Sequence, residues 1–152
     1  MIRWAKVIDE TGACTVGLGD NAEYYRSKGY EQLDVEEAYC GGWYLSDRLP
    51  VQPLEELKED IYGQLWTNYK VYQEKFVDAE DLVLASMGSL AGSEKCTAVR
   101  DWVMRLWKMY YEKKDRIAAA STAEEAKTVD LTADECGVPP YTIRELNEEL
   151  NG

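Results

Sequence analysis

Between Ser93 and Ala120 the chain repeats apolar residues at helical spacing, and this stretch limits the folds open to everything around it. With Val103 at the centre of a helical wheel, Cys96, Val99, Leu106, Tyr110 and Ile117 fall beside it on one stripe. Asp101, Arg105, Lys108, Glu112 and Asp115 fall opposite, as a solvated face should. Trp102 and Met109 flank the stripe on one side, and Met104, Trp107 and Tyr111 on the other. An apolar arc this wide needs cover from more than one direction, so the helix is either the centre of a bundle or a partner surface.

The preceding residues offer that cover. Leu54, Leu57, Ile61, Leu65, Tyr69, Tyr72 and Phe76 recur every three or four positions, and Pro53 with Glu55, Glu56, Glu59 and Asp60 suits the start of a helix. Asp78 can cap a shorter helix running to Leu90, and Ser93 can cap the long one. After Ala120 the pattern changes: Thr122-x-x-Glu125, Thr132-x-x-Glu135 and Thr142-x-x-Glu145 each fit a capping box, which predicts a string of short acidic helices wrapping the bundle.

The first 48 residues read differently. Ile2 to Ile8 and Cys14 to Leu18 are β-rich, and Asp9-Glu-Thr-Gly12 between them is turn chemistry. Asn21 can cap a two-turn helix that ends at Gly29. Residues 32 to 39 alternate, with Leu33, Val35 and Tyr39 on one side, and Gly41-Gly42 returns the chain to Trp43-Tyr-Leu45. The expected fold class is therefore α+β: a small N-terminal antiparallel sheet with one short helix (1–49), a helical bundle (50–120), and an acidic tail of short helices packing on it (121–152).

Composition narrows the chemistry. The net charge is -12, with no basic stripe to displace phosphate counterions, so nucleic acid is not an expected partner. Histidine is absent, which removes the commonest general base and metal ligand. The four cysteines, at 14, 40, 96 and 136, match no zinc or redox spacing, and no apolar run approaches membrane-spanning length. A chain with reduced thiols, made in the cytoplasm and lacking cofactor or metal, is the expectation.

Gly17-Leu-Gly-Asp-Asn-Ala22 matches a dinucleotide-binding pattern between strand and helix. The helix is too short, however, and Asp20 would sit where pyrophosphate must, so a strand-to-helix turn is the better reading. Tyr39-Cys-Gly-Gly42 lacks an activating histidine and reads as a hairpin turn rather than a nucleophile. The paired carboxylates follow from an acidic composition, and none matches a calcium loop. No catalytic residue is assigned. The aromatic side chains Trp4, Trp43 and Tyr44 on the sheet, and Trp102 and Trp107 on the long helix, are the candidate protein-binding residues.

Ala5-Lys-Val-Ile-Asp, Val16-Gly-Leu-Gly, Tyr25-Arg-Ser-Lys-Gly and Val35-Glu-Glu-Ala-Tyr with Trp43-Tyr-Leu resemble a segment of small proteins encoded near tail-fibre genes of phages and prophages of Gram-positive bacteria. Val99-Arg-Asp-Trp through Lys113-Lys-Asp-Arg-Ile-Ala-Ala-Ala, with Thr122-Ala-Glu-Glu125, is similar to the C-terminal helices of phage tail-fibre assembly proteins. The resemblance implies a nonenzymatic tail-region protein, either a small virion component or an assembly factor, present in the host cytoplasm during expression or in the virion. Its partner would be a tail or fibre component or a second copy. The alternative is an acidic phage inhibitor of a host nucleic-acid-binding enzyme, with clustered carboxylates imitating phosphates.

Overall fold

In the computed structural model, which describes residues 1–152, the chain divides into two units, Met1–Pro53 and Leu54–Gly152. The fold is α+β, a small N-terminal antiparallel sheet followed by helices. The tail beyond residue 120 belongs to the second unit.

In the first unit, Ile2–Val7 (β1) and Ala13–Gly19 (β2) pair from Ile2↔Gly19 to Val7↔Cys14. Their turn is fixed by Asp9, whose Oδ1 accepts from the Thr11 amide at 2.9 Å, and by Gly12 at φ +87, a conformation that favours glycine. Ala22–Ser27 (α1) starts where Asn21 Oδ1 accepts from the Tyr24 amide at 3.1 Å. Val35–Glu37 (β3) and Trp43–Leu45 (β4) complete a sheet of order β1-β2-β4-β3. The alternation expected to continue to Tyr39 stops at Glu37. Ala38 is buried and Tyr39 exposed because residues 38 to 42 form the turn, with the Ala38 amide bonded to the Gly42 carbonyl at 2.7 Å.

Pairing sets two faces. On one, Ala5, Cys14 and Val35 are buried, with Val16, Leu33, Trp43 and Leu45 packed against them. On the other, Trp4 stacks on Tyr25 of α1 with centroids 5.5 Å apart, and Tyr24 and Tyr30 meet Tyr25 edge-on.

The second unit holds Leu54–Phe76 (α2), Ala79–Leu90 (α3), Glu94–Ala119 (α4), Ala123–Lys127 (α5) and Ile143–Asn151 (α6). Along α4 the predicted stripe is buried, and Ile61, Leu65 and Tyr69 of α2 meet it in a single core. Each fully buried Leu, Ile or Val in such a core contributes about 1.5–3 kcal/mol. The helix ends are closed by side chains. Asp78 and Asp81 form a capping box at α3, Ser93 caps α4, and Gln73 Nε2 donates to the Val77 carbonyl at 3.0 Å where α2 stops. Lys58 donates to the Ala118 carbonyl at 2.9 Å, placing a cation at the negative end of α4.

Of the three predicted tail helices, the ones capped by Thr122 and Thr142 form. The one expected at Thr132 does not. Thr132 turns back instead, its amide and hydroxyl both donating to Asp130 at 2.9 Å, and only a single 3-10 turn, Asp134–Cys136, follows. The segment between α5 and α6 is tied to the bundle through its carbonyls. Asn68 donates to Leu131, Trp102 to Cys136 and Tyr72 to Gly137, at 2.9, 3.0 and 2.6 Å respectively.

Candidate interaction surface

The five aromatic residues singled out in the sequence do not form one surface. Trp4 is 1% exposed: its Nε1 donates to the Gly19 carbonyl at 2.9 Å, and its ring lies under Tyr25. Trp102 is 3% exposed, with Tyr72 and Phe76 against its ring. Neither can meet a partner without unfolding its surroundings, and both are corrected to core residues. Trp107 is half-buried among Tyr69 and Tyr110, and its Nε1 donates to Gln73 Oε1 at 2.6 Å. Trp43 and Tyr44 are half-buried neighbours on one strand, so they point to opposite faces. Tyr44 shares its face with Trp4, while Trp43 packs on the Ala5/Cys14/Val35 cluster with the Arg3 guanidinium 4.5 Å from its ring centroid. Trp4, Trp43 and Tyr44 therefore do not make one aromatic face of the sheet.

The glycine pattern has a local explanation. Gly17 and Gly19 lie within β2 rather than in a turn, directly under Tyr25. A Cβ at either position would stand 2.8 Å from that ring, and the Tyr25 hydroxyl donates to the Leu18 carbonyl at 2.9 Å. Two glycines thus clear the floor on which the Tyr25 ring sits, which accounts for the spacing without a nucleotide.

Groups with reactive chemistry are turned to structural use. Lys113 is buried and donates to the Thr132 carbonyl at 2.8 Å and to Glu135 at 2.5 Å, with the Tyr69 ring 5.3 Å away. Burial draws its pKa down, but the bond to Glu135 and the proximity of Tyr69 outweigh that and hold it above the ordinary lysine value, so it stays charged. The Tyr69 hydroxyl is buried beside Lys113 and Cys136, and burial raises its pKa. Burial also raises the thiols of Cys14 and Cys136, which makes them poor nucleophiles. Asp9 and Asp130 are held below the usual carboxylate range by the hydroxyl and amide of Thr11 and by the amide and hydroxyl of Thr132, so they are poor proton donors at neutral pH. No group of three or more Cys, Asp or Glu side chains is placed to hold a metal ion.

Exposed large apolar side chains are spread over both units, and three of them line one face of α3. Val83, Met87 and Leu90, at spacings of four and three, are 58, 64 and 87% exposed. The opposite side of the helix, at Ala85 and Gly88, is pressed onto α4 so closely that a Cβ at Gly88 would stand 2.4 Å from Cys96 Sγ. A helix with one face in the core should be polar on the other. Here the only charged residues are Glu80 and Asp81 in the first turn, and the fully exposed positions beyond it are Val83, Met87 and Leu90. Counting charges along residues 79 to 90 finds this face; reading the stretch only for caps and boundaries passes over it.

No helix is long and apolar enough to cross a membrane. Comparison with known proteins finds no matching family model, no matching curated protein and no matching solved structure.

Proposed function

We propose that this chain is a nonenzymatic protein of a phage or prophage tail region, a small virion component or an assembly factor for a fibre, and that it acts through protein contacts. The tail-region part of this reading rests on the resemblances of the N-terminal segment and of the Val99–Glu125 stretch. The observation that supports the contact part is the aliphatic outer face of α3. Burying three such side chains is worth about 1.5–3 kcal/mol each. Association costs about 4–15 kcal/mol in lost freedom, so the partner must cover a wider footprint than these three residues. The partner is a tail or fibre component or a second copy, and the net charge of -12 speaks against nucleic acid.

The test is solution mass by light scattering, with the protein alone and co-expressed with the products of neighbouring genes. A stable complex with one of them, lost in Met87→Gln while the melting temperature holds, is the expected result. A strict monomer that retains none of those products overturns the reading.

A further inference from the structure

If α3 docks a protein, as proposed above, the charges around its apolar face specify the partner's chemistry. Glu80 continues the exposed stripe one turn toward the N-terminus, and Glu94 is exposed just past the other end. Helix α3 carries no Lys or Arg. The bases nearest to it in sequence lie against rings: Lys75 is 5.3 Å from the Phe76 ring centroid and Lys95 is 5.3 Å from that of Tyr141. The result is an aliphatic strip containing a methionine, fringed by carboxylates.

We infer that this strip takes a basic amphipathic helix from a partner protein, its apolar side on Val83, Met87 and Leu90 and its Lys or Arg residues toward Glu80 and Glu94. Side chains at i, i+4 and i+7 form a ridge that fits the groove of another helix, and Met adapts to an irregular facing surface. The backbone of α3 has no free edge for an added strand. A second copy is disfavoured by the same fringe, because a two-fold contact would set carboxylates against carboxylates.

The probe is a fluorescein-labelled 18-residue peptide with Leu on one helical face and Lys on the other. It is compared with a scrambled peptide of the same composition and with a Leu/Glu counterpart, against the full chain in buffer of physiological salt. Fluorescence anisotropy should show saturable binding of the Leu/Lys helix alone. Met87→Gln should weaken it about tenfold, equivalent to ~1.4 kcal/mol. Glu80→Gln with Glu94→Gln should weaken it and flatten its salt dependence. Since these side chains are exposed, an unchanged far-UV spectrum and melting temperature check that each variant is folded.

Equal binding of the scrambled peptide, or indifference to Met87→Gln, reduces the effect to bulk charge and overturns the inference. A pure protein that is dimeric and becomes monomeric in Met87→Gln assigns the face to self-association and also overturns it. Failure of the peptide alongside Met87-dependent capture of a neighbouring gene product removes the basic helix but leaves the contact reading standing.

Discussion

Lys113 is the residue whose position differs most from what its type suggests. It falls between Tyr110 and Ile117 at spacings of three and four, squarely on the buried stripe of α4, yet a lysine there is naturally assigned to the solvated exit of the helix. Position along the stripe was legible; the partners that let an ammonium occupy it come from residues 132 and 135, and no local pattern announces them. The two halves of the pair are unequal. The Lys113 side chain is 2% exposed and that of Glu135 is 48% exposed, so removing the base leaves a carboxylate that water can reach, whereas removing the acid leaves a buried ammonium short of a partner. Lys113→Met is therefore expected to cost about 1–2 kcal/mol, chiefly from the unsatisfied Thr132 carbonyl. Glu135→Ala is expected to cost more, about 2–3 kcal/mol, and urea titration of both variants decides the order. The folded pKa of Lys113 is raised, so the pair's contribution is fully present below the unfolded lysine value of about 10.4 and disappears as pH rises through the folded value. The stability gap between wild type and Lys113→Met should accordingly stay level from neutral pH to about pH 10 and narrow above it.

Elements pack through glycine at two places where a side chain would collide with something rigid. In the first unit, Gly17→Ala drives a methyl into the Tyr25 ring, which is braced by Trp4, Tyr24 and Tyr30. Overpacking of this kind costs about 1–3 kcal/mol. In a double-mutant cycle the loss should largely vanish on a Tyr25→Ala background, because the collision has gone; additive losses would mean that Gly17 matters for strand geometry instead. In the second unit, Gly88→Ala should open the α3–α4 seam, and Cys96→Ala should recover part of the lost melting temperature by removing the sulfur 2.4 Å away. These glycines mark the limit of sequence reading at the scale of elements. Both strands of the hairpin, all three long helices and the caps at Asn21, Asp78, Ser93, Thr122 and Thr142 follow from alternation, 3.6-residue periodicity and short polar side chains. Such signals are local. Gly17-x-Gly19 owes its spacing to a ring that packs from another element, and Thr132-x-x-Glu135 fails as a cap because Thr132 turns back onto Asp130 while Glu135 pairs with the distant Lys113. The aromatic site failed likewise: Trp4 and Trp102 have the polar handle expected of interface residues, but their N–H groups are spent on the carbonyls of Gly19 and Cys136.

For the whole molecule, the division at Pro53/Leu54 sets two very unequal cores side by side in the sequence. The helical unit buries one cluster that draws on α2, α3, α4, α5 and α6, and its irregular segment is bonded into that cluster by Asn68, Tyr72, Trp102 and Lys113. The sheet unit has Ala5, Cys14 and Val35 on one face and Trp4 on the other, a core near the lower limit for a stretch of this length. Stability should follow the cores. A chain of residues 54–152 is expected to keep its helical far-UV spectrum and melt cooperatively, whereas residues 1–53 alone should melt at markedly lower temperature or lack fixed structure. In the full chain, helix content follows the second unit, and the stacking of Trp4 on Tyr25 gives the first unit its own near-UV signal, best isolated by comparing wild type with Trp4→Phe. Non-coincident transitions, with the Trp4 signal lost before the helical one, are the expected outcome. A single coincident transition, together with loss of helicity in residues 54–152, would show that the larger core depends on the smaller, and the energetic division drawn at Pro53 would fall.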